Sequence, residues 1–314
     1  MYRLVQKTTF NKENFMKKYA LLMALALAAG FAQAETIPQV SVYGKVREYQ
    51  ESYTSGTASA LTRLTDDSSR LGFRATADVG SGVTASAVIE TGVAMDAPGA
   101  TTLGNRISVF SLSNSLGSVG VGRDKHSVTR VLDNFDVMEN AYGTMATTIH
   151  SAQGTRLQNA VFISTAPVMG FTGNYAMANS ETAGVTNVQT ASIDYAAGPV
   201  AATLARYNDS ATSSSTILGA KYTVAKTGTT VFGIYSDDTV SGVSTTGKSV
   251  GVRQAINPQV AVLANYGETN AGVTAKALGV AYAMSKALTV HARWSFTDAA
   301  TDVTQYGVGV EYNF

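Results

Sequence analysis

The sequence predicts an all-β fold, a transmembrane antiparallel β-barrel of about 16 strands. Three observations carry the prediction. From Pro38 onward, stretches of about ten residues alternate apolar with polar side chains. The connections between these stretches are alternately short and long, as in a single meander. The segment Tyr306 to Phe314 places an apolar side chain at every second position and finishes on an aromatic.

Met16-Lys17-Lys18 opens a short basic region, an apolar run from Tyr19 to Phe31 follows, and Ala32-Gln33-Ala34 supplies small residues for cleavage, the pattern of a secretory signal peptide. The run is too short to cross a bilayer as a helix, which takes about 20 apolar residues. The expected organisation is an upstream-start extension at 1–15, a signal peptide at 16–34 and one barrel domain at 35–314. Five of the 23 basic and one of the 22 acidic residues precede Glu35, so the expected mature chain carries 18 against 21, a net charge near −3. That balance argues against nucleic acid as a partner. An exported chain with no Cys has no disulfide framework and depends on closed hydrogen bonding and packing. Mean hydropathy of +0.05 fits a barrel wall, where lipid-facing apolar and lumen-facing polar residues average out.

Short turns are expected at 79–82, 113–117, 165–170, 197–199, 225–228, 257–258 and 285–286. Longer links are expected near 52–68, 93–103, 124–155, 179–187, 208–215, 237–247, 267–274 and 297–302. The period of two then assigns faces. In the first strand Val40, Val42 and Val46 face lipid, while Tyr43, Lys45, Arg47 and Tyr49 face inward. In the second, Leu71, Phe73, Ala75 and Val79 lie outside and Arg70, Gly72, Arg74 and Thr76 inside. The fourth is expected to put Ile107 and Val109 outside and Arg106 with Ser108 inside. Val250 and Val252 outside place Arg253 in the lumen. Leu288, Val290, Ala292, Trp294 and Phe296 face out, with His291 and Arg293 inside. Arg206 shares the outward face of Leu204 and is the exception among the basic residues. In the closing strand Tyr306, Val308, Val310, Tyr312 and Phe314 form the lipid face. A half-buried strand of a soluble sandwich shares this alternation but gives no reason for the aromatic finish. An Arg on the lipid face near the midplane costs about 2–4 kcal/mol, which accounts for the segregation.

Several local motifs recur in one order: Val42-Tyr43-Gly44-Lys45, Ser69-Arg70-Leu71-Gly72-Phe73-Arg74, Asn105-Arg106, Val121-Gly122-Arg123, Gly154-Thr155-Arg156 and the terminal Phe314. With them the chain resembles the trimeric general-diffusion porins of Gram-negative outer membranes, especially the β-proteobacterial branch, over its whole mature length. The resemblance implies that the third loop, here Asp124 to Thr155, folds back into the lumen and sets acidic residues opposite a basic ladder. Carried over residue by residue, the ladder is Lys45, Arg70, Arg106 and Arg156, with Arg47, Arg74 and Arg123 nearby by strand phase. The acidic side is Asp133, Asp136 and Glu139, although the loop departs from the enterobacterial pattern around them. The loops after residue 175 are short for the family. The implied partners are two further copies in a homotrimer, outer-membrane lipid and lipopolysaccharide, the barrel assembly machinery, and small hydrophilic solutes and ions; no cofactor is implied. Small outward residues, Ala75, Ala77, Ala85 and Ala87, suit close approach of neighbouring barrels.

Opposed rows of charge across a water-filled opening set up a transverse field that favours small hydrophilic solutes and biases ion selectivity. More basic groups on the wall than acidic groups on the loop give an expected mild anion preference. A substrate-specific channel, with Tyr43 and Tyr49 lining a path for a sugar or an anion, is the alternative. Tyr222, Tyr266, Tyr282 and Tyr312 phase outward and fit interfacial girdles instead. An outer-membrane hydrolase would need a His beside a nucleophile or carboxylate. The three histidines are His126, His150 and His291, with no metal-ligand spacing between any two. Gly242 to Ser249 matches the phosphate-loop pattern, but it leads into the alternating Val250-Gly251-Val252-Arg253 and not a helix, so nucleotide binding is not expected.

Overall fold

The computed structural model describes residues 37–314 except 98, 100, 151–155, 183 and 210–212. The expected signal peptide at 16–34 and extension at 1–15 lie outside the described residues. The strand segments are β1 (Gln39–Ser55), β2 (Leu61–Asp66), β3 (Arg70–Asp78), β4 (Thr84–Gly92), β5 (Ile107–Asn114), β6 (Gly117–Lys125), β7 (Arg156–Thr165), β8 (Phe171–Ala178) and β9 (Val188–Ala197). They continue with β10 (Val200–Asn208), β11 (Ser214–Val224), β12 (Thr229–Val240), β13 (Val243–Ala255), β14 (Val260–Thr269), β15 (Thr274–Ala283), β16 (Leu288–Asp298) and β17 (Val303–Asn313). Among the described residues one helix, α1 (Ser127–Phe135), lies in the longest connection, between β6 and β7.

Each segment pairs antiparallel with its neighbours, and β1 pairs with β17 to close the sheet. β2 and β3 both pair with β1, through Glu48↔Asp66 and Lys45↔Arg70, so they form one wall strand interrupted at 67–69, where Ser68 has φ 67°. The 17 segments therefore make a closed barrel of 16 strands. Closure matters because lipid offers nothing to an unpaired amide. The seam is finished at the chain end, where Phe314 accepts from the Gly44 amide at 2.8 Å and donates to its carbonyl at 3.1 Å. Tyr306, Val308, Val310, Tyr312 and Phe314 are 43–57% exposed on the outer face, as alternation predicts.

Two expectations need correction. The strands run further than the alternation suggests: the link expected at 52–68 shrinks to 56–60, and that at 237–247 to the two-residue turn Ser241-Gly242, both with positive φ. Beyond the hydrocarbon layer no lipid-facing apolar residue is required, so the ladder continues through polar Thr, Ser and Asp paired with the neighbouring strand. The fourth wall strand is also reversed. Ser108, Phe110 and Leu112 pair with outward Ile89, Ala87 and Ala85, whereas Ile107 and Val109 pair with inward Glu90 and Val88. Arg106 still reaches the lumen, because its amide donates to the Glu90 carbonyl while Ile107 also stands opposite Glu90. Two successive residues thus share one face at the strand entry, which strict alternation cannot express.

Inside the barrel, Val128, Val131, Leu132 and Phe135 of α1 pack with Leu157, Ala160, Ala176, Ala205, Tyr207, Ile217 and Ile234 of the wall. Val137, Met138, Met145 and Ile149 pack with Leu263, Ala275, Ala277 and Ala281. The loop is therefore held against β7–β15, leaving the face of β1–β5 across from it. The wall is cut back to receive it: a Cβ on Gly219 would lie 2.4 Å from the Phe135 ring, and one on Gly251 2.7 Å from Val137.

Candidate functional site

Five of the basic residues on and beside β1 to β7 fall into two groups, each organised by a carboxylate. Arg106 Nε lies 2.8 Å from Glu90 Oε1 and Arg70 Nε 3.6 Å from Glu90 Oε2. The Tyr43 hydroxyl donates to the same carboxylate at 3.2 Å. Arg156 stands within electrostatic reach of Arg106, Glu90 and Asp133. Lys45 Nζ and Arg47 Nη1 lie 3.8 and 3.3 Å from Glu311 Oε2. Arg74 is exposed, its guanidinium 5.8 Å from the Tyr43 ring centroid. The structure thus brings Arg70, Arg106 and Arg156 together around Glu90, and Lys45 with Arg47 around Glu311.

Arg47 does more than line the wall. Its side chain is 2% exposed, pairs with Asp67 at 3.2 Å and donates to the carbonyls of Glu139 and Asn140, each at 3.3 Å. Two strands away on β16, Arg293 donates to the carbonyls of Met138 and Tyr142 at 2.8 and 3.2 Å. Two wall arginines thereby hold the loop's backbone at the turn where Glu139 and Asn140 both have positive φ. Arg123 stands opposite Ser108 on the outward register and donates to the Asn105 carbonyl at 2.9 Å and Gln158 Oε1 at 3.1 Å. Its placement is a brace between strands, so the expected role in the constriction is corrected.

The three loop carboxylates have separated roles. Asp133 pairs with Lys125 and accepts from the side-chain Nδ2 of Asn140. Asp136 is 5% exposed and accepts from Thr144 Oγ1 and the Asn140 amide, each at 2.7 Å. Burial pushes its carboxyl up while those donations pull the other way. Asp136 therefore caps the loop's own turn, and its expected place in the pore lining is corrected. Glu139 is exposed, which leaves it the loop carboxylate free to face solvent. Alternation in the loop carries no facing information, so sequence could not separate these three.

Glu90 and Glu311 were missed as organisers of the ladder. Their signal was present, since Glu90 shares the inward phase opposite Gly72 and Glu311 that of Gln305.

The histidines serve the scaffold. His126 caps α1, its Nδ1 accepting from the Thr129 amide at 3.5 Å, and its ring lies 4.8 Å from that of Tyr207. His150 is 1% exposed, with Nδ1 and Nε2 each 2.8 Å from the hydroxyls of Ser236 and Ser249. A serine beside an imidazole suits acyl transfer, but Ser236 is 0% exposed, and burial, with no charged neighbour, lowers the His150 pKa to about 4. His150 clamps the loop's far end to β12 and β13. His291 stands 3.3 Å from Arg293. No cluster of metal-ligating side chains occurs among the described residues. The phosphate-loop pattern at Gly242–Ser249 lies on a hairpin turn and β13, with no helix to hold a phosphate.

The family model for Gram-negative porins matches residues 20–314. Among solved structures, the anion-selective porin from Comamonas acidovorans superposes with a TM-score of 0.78 at 20% identity, covering 88% of this chain and 100% of that one. OmpF of Salmonella typhi gives 0.71 at 15% identity, covering 88% and 97%. The trimer form of OmpT from Vibrio cholerae gives 0.70 at 14%, covering 89% and 100%. No curated protein sequence matches the chain.

Proposed function

This chain belongs to the Gram-negative porin family, an outer-membrane β-barrel, and we propose that its water-filled lumen passes small hydrophilic solutes with a mild preference for anions. The observation that carries the preference is the charge count at the narrowing. Lys45, Arg47, Arg70, Arg74, Arg106 and Arg156 outnumber Asp67, Glu90, Glu311 and the exposed Glu139. Fixed charge of one sign across a narrow aqueous opening raises the local concentration of its counter-ion. The anion-selective Comamonas porin, with its shared fold, is consistent with this reading.

The channel carries out no chemistry on its solutes. Three copies assemble through the small outward residues Ala75, Ala77, Ala85 and Ala87, in line with the trimer form of the Vibrio protein. Lipid and lipopolysaccharide surround the remaining outward face. The apolar edge Tyr306 to Phe314 is offered to the assembly machinery, and the mature barrel starts at Glu35.

Single-channel recording in a planar bilayer under a salt gradient tests the proposal. Stable ohmic steps with a reversal potential on the anion side are expected. Clear cation selectivity overturns the preference, and a folded barrel without steps overturns the channel.

A further inference from the structure

The loop leaves a second chamber on the short-turn side of the constriction. It is a cavity of about 410 Å³ between the polar face of α1, which presents Arg130 and Asn134, and the inward faces of β5–β10. That volume lies within the roughly 300–1,000 Å³ range of small-molecule sites.

One wall of this cavity is built with care around a single acid. Asn174 Nδ2 donates to Asp194 Oδ2 at 2.7 Å and to Ser192 Oγ at 3.1 Å, while Ser164 Oγ donates to Asn174 Oδ1 at 2.7 Å. Every member of that chain lines the cavity. Asp194 has no ion pair among the described residues, so its charge is fixed in place by an amide and not cancelled by a cation. The cavity's other acid, Asp124, is already paired with Arg130 at 2.8 Å. Arg130 remains 53% exposed, and its guanidinium has donors left over from that pair. Phe162 also lines the cavity, an apolar face among polar groups.

A pure cation meets the basic ladder before it reaches Asp194, and a pure anion that passes the ladder is repelled by Asp194. A solute that carries both charges is accepted by each in turn. We propose that this chamber is a weak subsite for small zwitterions of the α-amino acid class, with the ammonium on Asp194 and the carboxylate toward Arg130. The subsite rests on the channel reading and names the solute class that the channel favours. Such a site speeds passage only while it binds loosely enough to release.

The test compares liposome swelling with glutamine against swelling with arabinose, a neutral solute, for the full mature barrel and its Asp194→Asn and Asp194→Glu forms. The glutamine to arabinose ratio is expected to exceed one several-fold in the unaltered protein, to fall to near one in Asp194→Asn, and to recover in Asp194→Glu. Single-channel conductance in salt confirms that each variant forms an open pore. A ratio unchanged in Asp194→Asn overturns the subsite, as does an equal loss of arabinose swelling. Absence of swelling with either solute in the unaltered protein overturns the channel reading itself.

Discussion

The two inner walls of this barrel hold the same loop by opposite physics. On β7–β15 an apolar patch of lumen-facing side chains meets the loop, and Phe135, Val131 and Leu132 bury against Ile217 and Ile234. On β1–β5 charged side chains dominate the inward row, and they reach the loop through polar contacts to its backbone, as Arg47 does at Glu139 and Asn140 and Asp67 at Tyr142, with Tyr49 stacked on Tyr142 beside them. The apolar wall fixes where the loop lies, because burial is non-directional and tolerates no water. The charged wall keeps the opening wet and sets its sign. A pore needs both, since a loop gripped by apolar contacts on every side would seal the lumen.

The apolar side is where the comparison breaks most sharply. Phe135→Ala removes a ring from the core and is expected to cost about 3–5 kcal/mol of loop docking. Larger, noisier conductance steps and faster cleavage of the loop by protease are the readouts; unchanged steps would mean that the charged wall alone suffices. On the opposite wall, Arg47→Met leaves the Glu311 and Asp67 carboxylates without their buried partner, a loss of about 3 kcal/mol or more. Thermal unfolding of the variant should begin at lower temperature, and the loop should again become cleavable.

Acid probes the seam between loop and apolar wall. The released loop protonates His150 near 6.5, the docked loop only near 4, so the docked state binds fewer protons in between. Docking is therefore complete above about pH 6.5 and weakens as pH falls toward 4, by about 3 kcal/mol at most. Loop cleavage measured from pH 7 to 4.5 should rise, and His150→Asn should flatten that rise. On the charged wall, Glu90→Gln keeps the shape and removes one negative charge between Arg70 and Arg106. The reversal potential should move further to the anion side, and thermal unfolding should begin at lower temperature because Arg70 and Arg106 lose their buried counter-charge. The smallest effect is expected outside, where Arg206→Ala removes an exposed side chain bonded to Thr216 at 2.5 Å and should stay within about 0.5 kcal/mol.

Much of the barrel was legible because the period of two is a local rule. Lys45, Arg47, Arg70, Arg253, His291 and Arg293 all lie on the inward face that alternation assigns. Where the rule failed, a strand entry or a docked loop intervened. Ile107 and Val109 turned inward because Arg106 and Ile107 share one face. The apolar wall was also visible in principle: β11 carries Ile217 inward and Leu218 outward, a strand apolar on both faces, which a water-filled lumen alone does not explain.

The sequence by itself determined the meander, the closing strand and the inward row of arginines, since each follows from side chains taken two residues at a time. Only the tertiary structure decided that Asp136 is consumed by the loop's own turn, that Arg123 braces strands outside the lumen, and that Glu90 gathers Arg70 and Arg106. These depend on contacts between residues 8 to 20 positions apart or across the barrel, where hydrogen-bond geometry, and not period, selects the partner.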